Sequence, residues 1–147
     1  MTMRINCFIK ARESLLVKQN IRNFAKTKAK AMKNYRGFVY IMASKRNGTL
    51  YIGVTNDLAR RVAEHKAGVN RGFTSRYGVK TLVYYECFAA FGHAVAREKQ
   101  LKEWNRAWKI SLIEDMNPSW HDLAADIGVT EEMVNLIRIK YDIMTQC

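Results

Sequence analysis

Two short β-prone runs constrain this chain more than any other feature. Residues 38–44 (FVYIMAS) and 50–55 (LYIGVT) are rich in β-branched and aromatic side chains, and between them stands Asn47-Gly48, a pair that tolerates the positive φ of a type I′ turn. The pattern predicts a hairpin. With a two-residue turn, Ser44 would lie opposite Tyr51 and Tyr40 opposite Thr55. Val39, Ile41, Ala43, Leu50, Ile52 and Val54 would then share one apolar face, the expected core side. The other face would gather Tyr40, Met42, Ser44, Tyr51, Gly53 and Thr55, two phenols around a residue with no side chain. That register sets the phenols about four residues, or ~13 Å, apart along the ribbon.

Downstream the period changes from two to 3.6. Thr55, Asn56 or Asp57 can cap a helix running to about Ala67, with Leu58 and Val62 on its buried side and Gly68 as its stop. Arg61 and His65 are also i, i+4 and project together from a neighbouring face. A Gly- and Arg-bearing loop, Gly72 to Gly78, leads to a third strand, Lys80 to Cys87. A long helix is expected from about His93, with Leu101, Trp104, Trp108 and Leu112 as its apolar stripe. Glu98 falls on that stripe. A carboxylate facing inward costs free energy unless paired, so it is a salt-bridge partner or a metal ligand. Asn117-Pro118 breaks the helix, Trp120 to Ile127 can form a short one, and Thr130 to about Thr145 a last amphipathic one with Met133, Leu136, Ile137 and Ile143 buried. The order β-β-α-β-α-α predicts an α+β fold, a small three-stranded, mainly antiparallel sheet flanked by helices. Three regions are expected: a basic extension (1–34), the sheet-bearing domain (35–128) and a C-terminal amphipathic helix (129–147).

Composition narrows the function classes. With 147 residues, 48% hydrophobic, 26% charged and one proline, the chain is neither disordered nor low-complexity. No window approaches the roughly 18–20 apolar residues of a transmembrane helix. Cys7, Cys87 and Cys147 have no close spacing, which argues against a disulfide framework or a zinc site and fits a reducing cytoplasm. The net charge of +12 suggests a polyanionic partner, but most of it lies in residues 1–36, where ten Lys and Arg face Glu13 alone. That arm could bind nucleic acid, act as a targeting segment, or precede a start at Met32. Within the body, Arg60, Arg61, Lys66, Arg71, Arg76 and Lys80 face only Glu64, which makes either a solvated face or a phosphate-contacting one.

Several of these residues together resemble the GIY-YIG nuclease superfamily, in particular its small stand-alone bacterial members. Tyr51-Ile52-Gly53 reproduces the second signature, and Phe38-Val39-Tyr40 stands in the place of the first, with Gly37 one position earlier. Asn56-Asp57-Leu58, Arg61-Val62 and His65 are similar to the family's Arg-to-His helix. Ala96-Arg97-Glu98-Lys99-Gln100 is similar to the segment bearing its metal-binding glutamate, and Met116-Asn117-Pro118-Ser119-Trp120 to its C-terminal Asn motif. The similarity spans about Gly37 to Ile127. Taken singly, a strand tyrosine is a core residue, Glu98 an ion pair and His65 a surface histidine; five motifs in the family order reverse that reading.

The resemblance implies a divalent-metal-dependent endonuclease hydrolysing phosphodiester bonds in DNA, with repair or branched-DNA processing as its setting. The alternatives are a non-catalytic nucleic-acid-binding module and an RNA nuclease. Glu98 would hold Mg²⁺, or Mn²⁺, together with water and phosphate oxygens. Tyr40 would be the general base or a water-positioning phenol, and Tyr51 would orient the nucleophile or the phosphate. Arg61 would meet the phosphate with a planar fork, and His65 would hold Tyr40 or shuttle a proton. The catalytic set is therefore Tyr40, Tyr51, Arg61, His65 and Glu98, expected to converge on one concave surface. Gly53 and Asn117 are accessory, and Arg60, Lys66, Arg71, Arg76 and Lys80 would touch nucleic acid. A monomer with no membrane partner is expected.

Overall fold

The computed structural model describes residues 34–146 together with Lys30 and Met32; most of the basic extension lies outside the described residues. The hairpin forms as β1 (Gly37–Ala43) and β2 (Leu50–Thr55), followed by helices α1 (Leu58–Ala67) and α2 (Phe73–Arg76), then β3 (Thr81–Phe88). Helices α3 (Phe91–Glu103), α4 (Arg106–Met116) and α5 (Glu131–Gln146) complete the fold. The strands pair antiparallel in the order β2-β1-β3.

The hairpin register is shifted by two residues from the expected one. Tyr40 pairs with Gly53, Met42 with Tyr51 and Ala43 with Leu50, because the connection is longer than a two-residue turn. In the loop between the strands, Gly48 N–H donates to Lys45 O (2.9 Å) and Ser44 N–H to Thr49 O (3.0 Å). Thr49 N–H donates to Ser44 Oγ (2.9 Å). Within this loop only Asn47 takes a positive φ, 54°, and Arg106 holds the carbonyls of Asn47 and Gly48 at 2.7 Å each. Local bonds thus satisfy the loop backbone without two further rungs of ladder. Because the shift is even, each face keeps its expected members.

The sheet is covered on both faces rather than on one. Val39, Ile41, Ala43 and Ile52 pack with Ala94, Leu101 and Ile113 of α3 and α4. Phe38, Tyr40 and Met42 pack with Leu58, Val62 and Ala63 of α1 and with Val134 of α5. Every residue of β1 is consequently buried. A Cβ at Gly37 would stand 2.7 Å from Ala94 Cβ and 3.0 Å from Phe91 Cα, so the missing side chain is what lets the first turn of α3 descend onto β1.

Three helical expectations are corrected. The single long helix is two, since Trp104 and Asn105 take extended backbone and Asn105 Oδ1 caps α4 by accepting from Trp108 N–H. The break re-aims the second half, leaving Trp108 58% exposed. Along α5, Val134 is buried and Met133 and Ile137 partly so, whereas Leu136 and Ile143 are each 61% exposed, because α1 is the principal support of that helix. Between Trp120 and Ile127 only Ala125–Ile127 is helical, as a 3₁₀ turn.

Candidate active site

The site is assembled on the face of the sheet that α1 covers. Asp57 is the residue that caps α1, its Oδ1 accepting from Arg60 N–H at 3.1 Å, and Gly68 ends the helix at φ 71°. Leu58 and Val62 are buried against the sheet. This rotation aims Arg61 and His65, one turn apart, at the phenol of Tyr40. Tyr40 Oη lies 3.0 Å from His65 Nε2, and Arg61 Nε–H donates to the same oxygen at 3.4 Å.

Gly53, paired with Tyr40 across the ladder, makes the space. A Cβ there would overlap Tyr40 Oη and stand 2.5 Å from Cζ, so the ring lies over the glycine backbone. Tyr51, two residues from Gly53, closes the group: its ring centroid is 6.2 Å from that of Tyr40 and 5.2 Å from that of His65. The register shift is what brings the two phenols together, against the wider separation expected from the two-residue turn.

Electrostatics keep Tyr40 and His65 neutral at rest beside a charged Arg61. Burial, foremost, pushes the Tyr40 phenol well above its ordinary range, and Arg61 offsets part of that rise. Burial also lowers His65 to about 4, with the Arg61 charge acting in the same direction, so the imidazole is uncharged near neutrality. Burial opposes the charge of Arg61, but its bonds to Tyr40 and Glu64 more than compensate and hold it firmly ionised. His65 Nδ1 is buried with no partner among the described residues. A buried N–H left unmade is costlier than an unmade lone pair, which favours the tautomer carrying its proton on Nε2. Tyr40 Oη then receives two N–H donors, an arrangement suited to a phenolate when one forms.

Glu98 comes from the opposite side. It follows Ala94 by one helical turn on α3, the helix that packs on the Val39-Ile41 face, and it is 8% exposed. Its ion pair is with Lys102 one turn on, and it makes no hydrogen bond to the tyrosine, histidine and arginine group. The structure therefore joins four of the five expected residues in one contact network, while Glu98 is carried by the helix that packs on the other face of the sheet. Both α1 and α3 flank the two hairpin strands, and β2 is the edge strand. Among the described residues no group of three His, Cys, Asp or Glu could by itself hold a metal ion. A single buried carboxylate, paired among the described residues with a lysine that is itself largely exposed, is an oxygen donor of the kind that suits a hard cation retaining most of its water.

The expected cations divide into two groups. Arg60 bonds Glu64 at 2.7 Å and lies 3.7 Å from Asp57, and Lys66 pairs with Asp122. Arg71, Arg76 and Lys80 are exposed and form no ion pair among the described residues. The sequence reading met Glu64 only as an isolated acid among these cations and missed its role, which its spacing from Arg60 and Arg61 could have revealed: it holds Arg61 Nη1 at 3.1 Å. Asn117 is 1% exposed; its Nδ2 donates to Val83 O (3.1 Å) and His121 O (2.9 Å), stapling the segment after α4 to β3. Tyr84 and Tyr85 are core residues.

Comparison with known proteins bears on this geometry. A model of the GIY-YIG catalytic domain matches residues 36–111. A UPF0213 protein of Bacillus pumilus is 34% identical over 85 residues, covering 58% of this chain and 86% of its own length. Its counterpart in Staphylococcus haemolyticus is 36% identical over 53% of this chain and 94% of its own length, and one in Halobacterium salinarum is 39% identical over 50% and 95%. No solved structure matches. The matched span begins one residue before β1 and contains Tyr40, Tyr51, Arg61, His65 and Glu98, and on that match this chain belongs to the GIY-YIG family.

Proposed function

We propose that this protein is a divalent-metal-dependent endonuclease that hydrolyses phosphodiester bonds in DNA. The observation that carries the reading is the Tyr40 hydroxyl, buried, with His65 and Arg61 both on its oxygen. A structural tyrosine needs one partner. Two nitrogen donors on one phenol, across a glycine that leaves room for the ring, are the parts that stabilise a phenolate, the form of this oxygen that can act as a base.

In this reading Tyr40 first gives up its phenolic proton to solvent, with His65 and Arg61 stabilising the phenolate through their N–H groups. The phenolate then takes a proton from the attacking water as that oxygen bonds to phosphorus and the leaving oxygen departs. Arg61, with 30% of its side chain exposed, also meets the phosphate, where its fixed charge gains most as negative charge grows on the phosphoryl oxygens. Tyr51 orients the water or the phosphate beside Tyr40. A hard divalent ion held by Glu98 would add charge stabilisation for the phosphate and the leaving oxygen. The substrate is proposed to cross the β2 edge, between the phenol network on one face and Glu98 on the other.

Pure protein incubated with supercoiled plasmid, branched DNA and RNA, in Mg²⁺, Mn²⁺ or EDTA, tests this. Metal-dependent DNA cutting that is lost in Glu98→Ala is the expected result, and preference for branched DNA would support a repair setting. Cutting that persists in EDTA or in Glu98→Ala overturns the mechanism.

A further inference from the structure

The turn between α1 and β3 displays two aromatic rings that the core does not use. Phe73 is 50% exposed and Tyr77 47%, and as i, i+4 neighbours their centroids stand 4.8 Å apart at 51°. The Arg76 guanidinium lies 5.6 Å from the Tyr77 ring centroid. Side chains of this size normally turn inward when the backbone allows it. Here it does not. Thr74 and Val79 are buried at 8% and 0% exposure, and Val79 N–H donates to Thr74 O at 2.9 Å. Arg76 N–H donates to Gly72 O (2.9 Å) and Tyr77 N–H to Phe73 O (3.1 Å). Gly72 and Gly78 close the turn at φ 144° and 63°, conformations that a side chain would resist. The rings are held outward by an anchored backbone.

Their electrostatic surroundings have one sign. From His65 to Tyr85 there is no acidic residue, and Arg71, Arg76 and Lys80 are exposed with no ion pair among the described residues. A fully stacked duplex offers cations its phosphates but offers an aromatic ring no free base face. An acidic peptide would engage the cations and leave the rings unused.

We infer that Phe73 and Tyr77 form a stacking platform for an unpaired base, with Arg71, Arg76 and Lys80 on the flanking phosphates. This gives the protein a preference for single-stranded or junction-bearing nucleic acid. The inference rests on the nuclease reading for its substrate class and names the feature of that substrate which is recognised.

Binding in a Glu98→Ala background, where cleavage is suppressed, separates the two readings. Fluorescence anisotropy is measured with a labelled single strand, a forked duplex and a blunt duplex over a matched series of salt concentrations without metal. Phe73→Ala/Tyr77→Ala is expected to weaken single-strand and fork binding about tenfold and blunt-duplex binding less than about twofold. Tyr77→Leu, which keeps apolar bulk, should follow the double variant, and Tyr77→Phe should match the parent. Arg76→Ala should weaken all three and make the salt dependence shallower by about one contact.

Equal losses on all three ligands, no loss on any, or no binding by the parent overturns the platform. Dimerisation that the double variant abolishes, with oligonucleotide affinity unchanged, would assign the rings to a second copy of the chain and also overturn it. Melting curves establish that each variant is folded, and Tyr77→Leu serves if the double variant is not. Metal-dependent cutting by the wild-type protein with no single-strand preference removes the platform alone. The preference without any cutting removes the nuclease reading alone.

Discussion

Tyr40 Oη and His65 Nε2 stand 3.0 Å apart, joining the central strand of the sheet to the last turn of α1 through a bond whose other ring nitrogen is buried without a partner. Among the described residues nothing else secures that imidazole by hydrogen bonding, and Arg61 is the second group on the same phenol. Tyr40→Phe keeps the ring over Gly53 and deletes only the shared oxygen. Loss of the buried bond should cost about 1–3 kcal/mol of stability, and single-turnover cleavage should fall by about 10²- to 10⁴-fold if the hydroxyl transfers the proton. A folded Tyr40→Phe protein that cuts at the wild-type rate would remove Tyr40 from the chemistry.

Gly53→Ala should damage the same group from beneath. The added methyl would stand 2.5 Å from Tyr40 Cζ, and Tyr40 is 1% exposed in a packed core, so the ring cannot swing into solvent. Overpacking of this kind costs about 1–3 kcal/mol, and the displaced hydroxyl should lose its bond to His65. Paired thermal melts and cleavage assays check this, with Gly92→Ala, where a methyl meets nothing within 4 Å, as the comparison.

Acid should weaken the fold through His65. Its pKa, lowered to about 4 by burial and by Arg61, lies below the unfolded value near 6.5, so the unfolded chain binds the proton more readily. The contribution of neutral His65 is whole above about pH 6.5 and is lost as pH falls towards 4, amounting to about 3 kcal/mol. His65→Gln removes this titration. Denaturant unfolding from pH 7.5 to 4 should therefore show the wild type losing its stability advantage over the variant, and parallel curves would contradict the lowered pKa.

The parts of the molecule legible in the sequence were those governed by local pattern. Side-chain alternation gave both faces of the hairpin, and the i, i+4 spacing of Arg61 and His65 gave their shared direction. Loop length was not legible, because whether Asn47-Gly48 closes a two-residue turn depends on Ser44, Thr49 and the distant Arg106; the pairing of Tyr40 with Gly53 followed from that loop. Trp108 fitted the apolar stripe, yet Asn105 could equally cap a new helix, and periodicity does not decide between the two. Which face of the sheet α3 covers, and with it the side from which Glu98 approaches, is a long-range choice that spacing along the chain does not encode.

The residue before Glu98 carries the last prediction. Arg97 grips Glu86 of β3 through Nε, at 3.1 Å to both carboxylate oxygens, and through Nη2 at 2.9 Å. Tyr84 O–H donates to the same carboxylate at 2.6 Å, and Arg97 lies 5.2 Å from the Trp104 ring centroid at the end of α3. Both members of the pair are largely shielded, with side chains 23% and 21% exposed. Glu86→Gln keeps the shape and removes the charge, so it should cost about 1–3 kcal/mol. It should also free α3 to rotate about its axis, and Glu98 with it. Groups that orient a metal ligand typically contribute about 10- to 100-fold in metal affinity, so the Mg²⁺ concentration giving half-maximal cleavage should rise about tenfold or more. Ile113→Val in α4, which also thins the core on that face, should lower stability without moving the Mg²⁺ midpoint. If the two variants shift that midpoint equally, the clamp supports the fold alone and does not position Glu98.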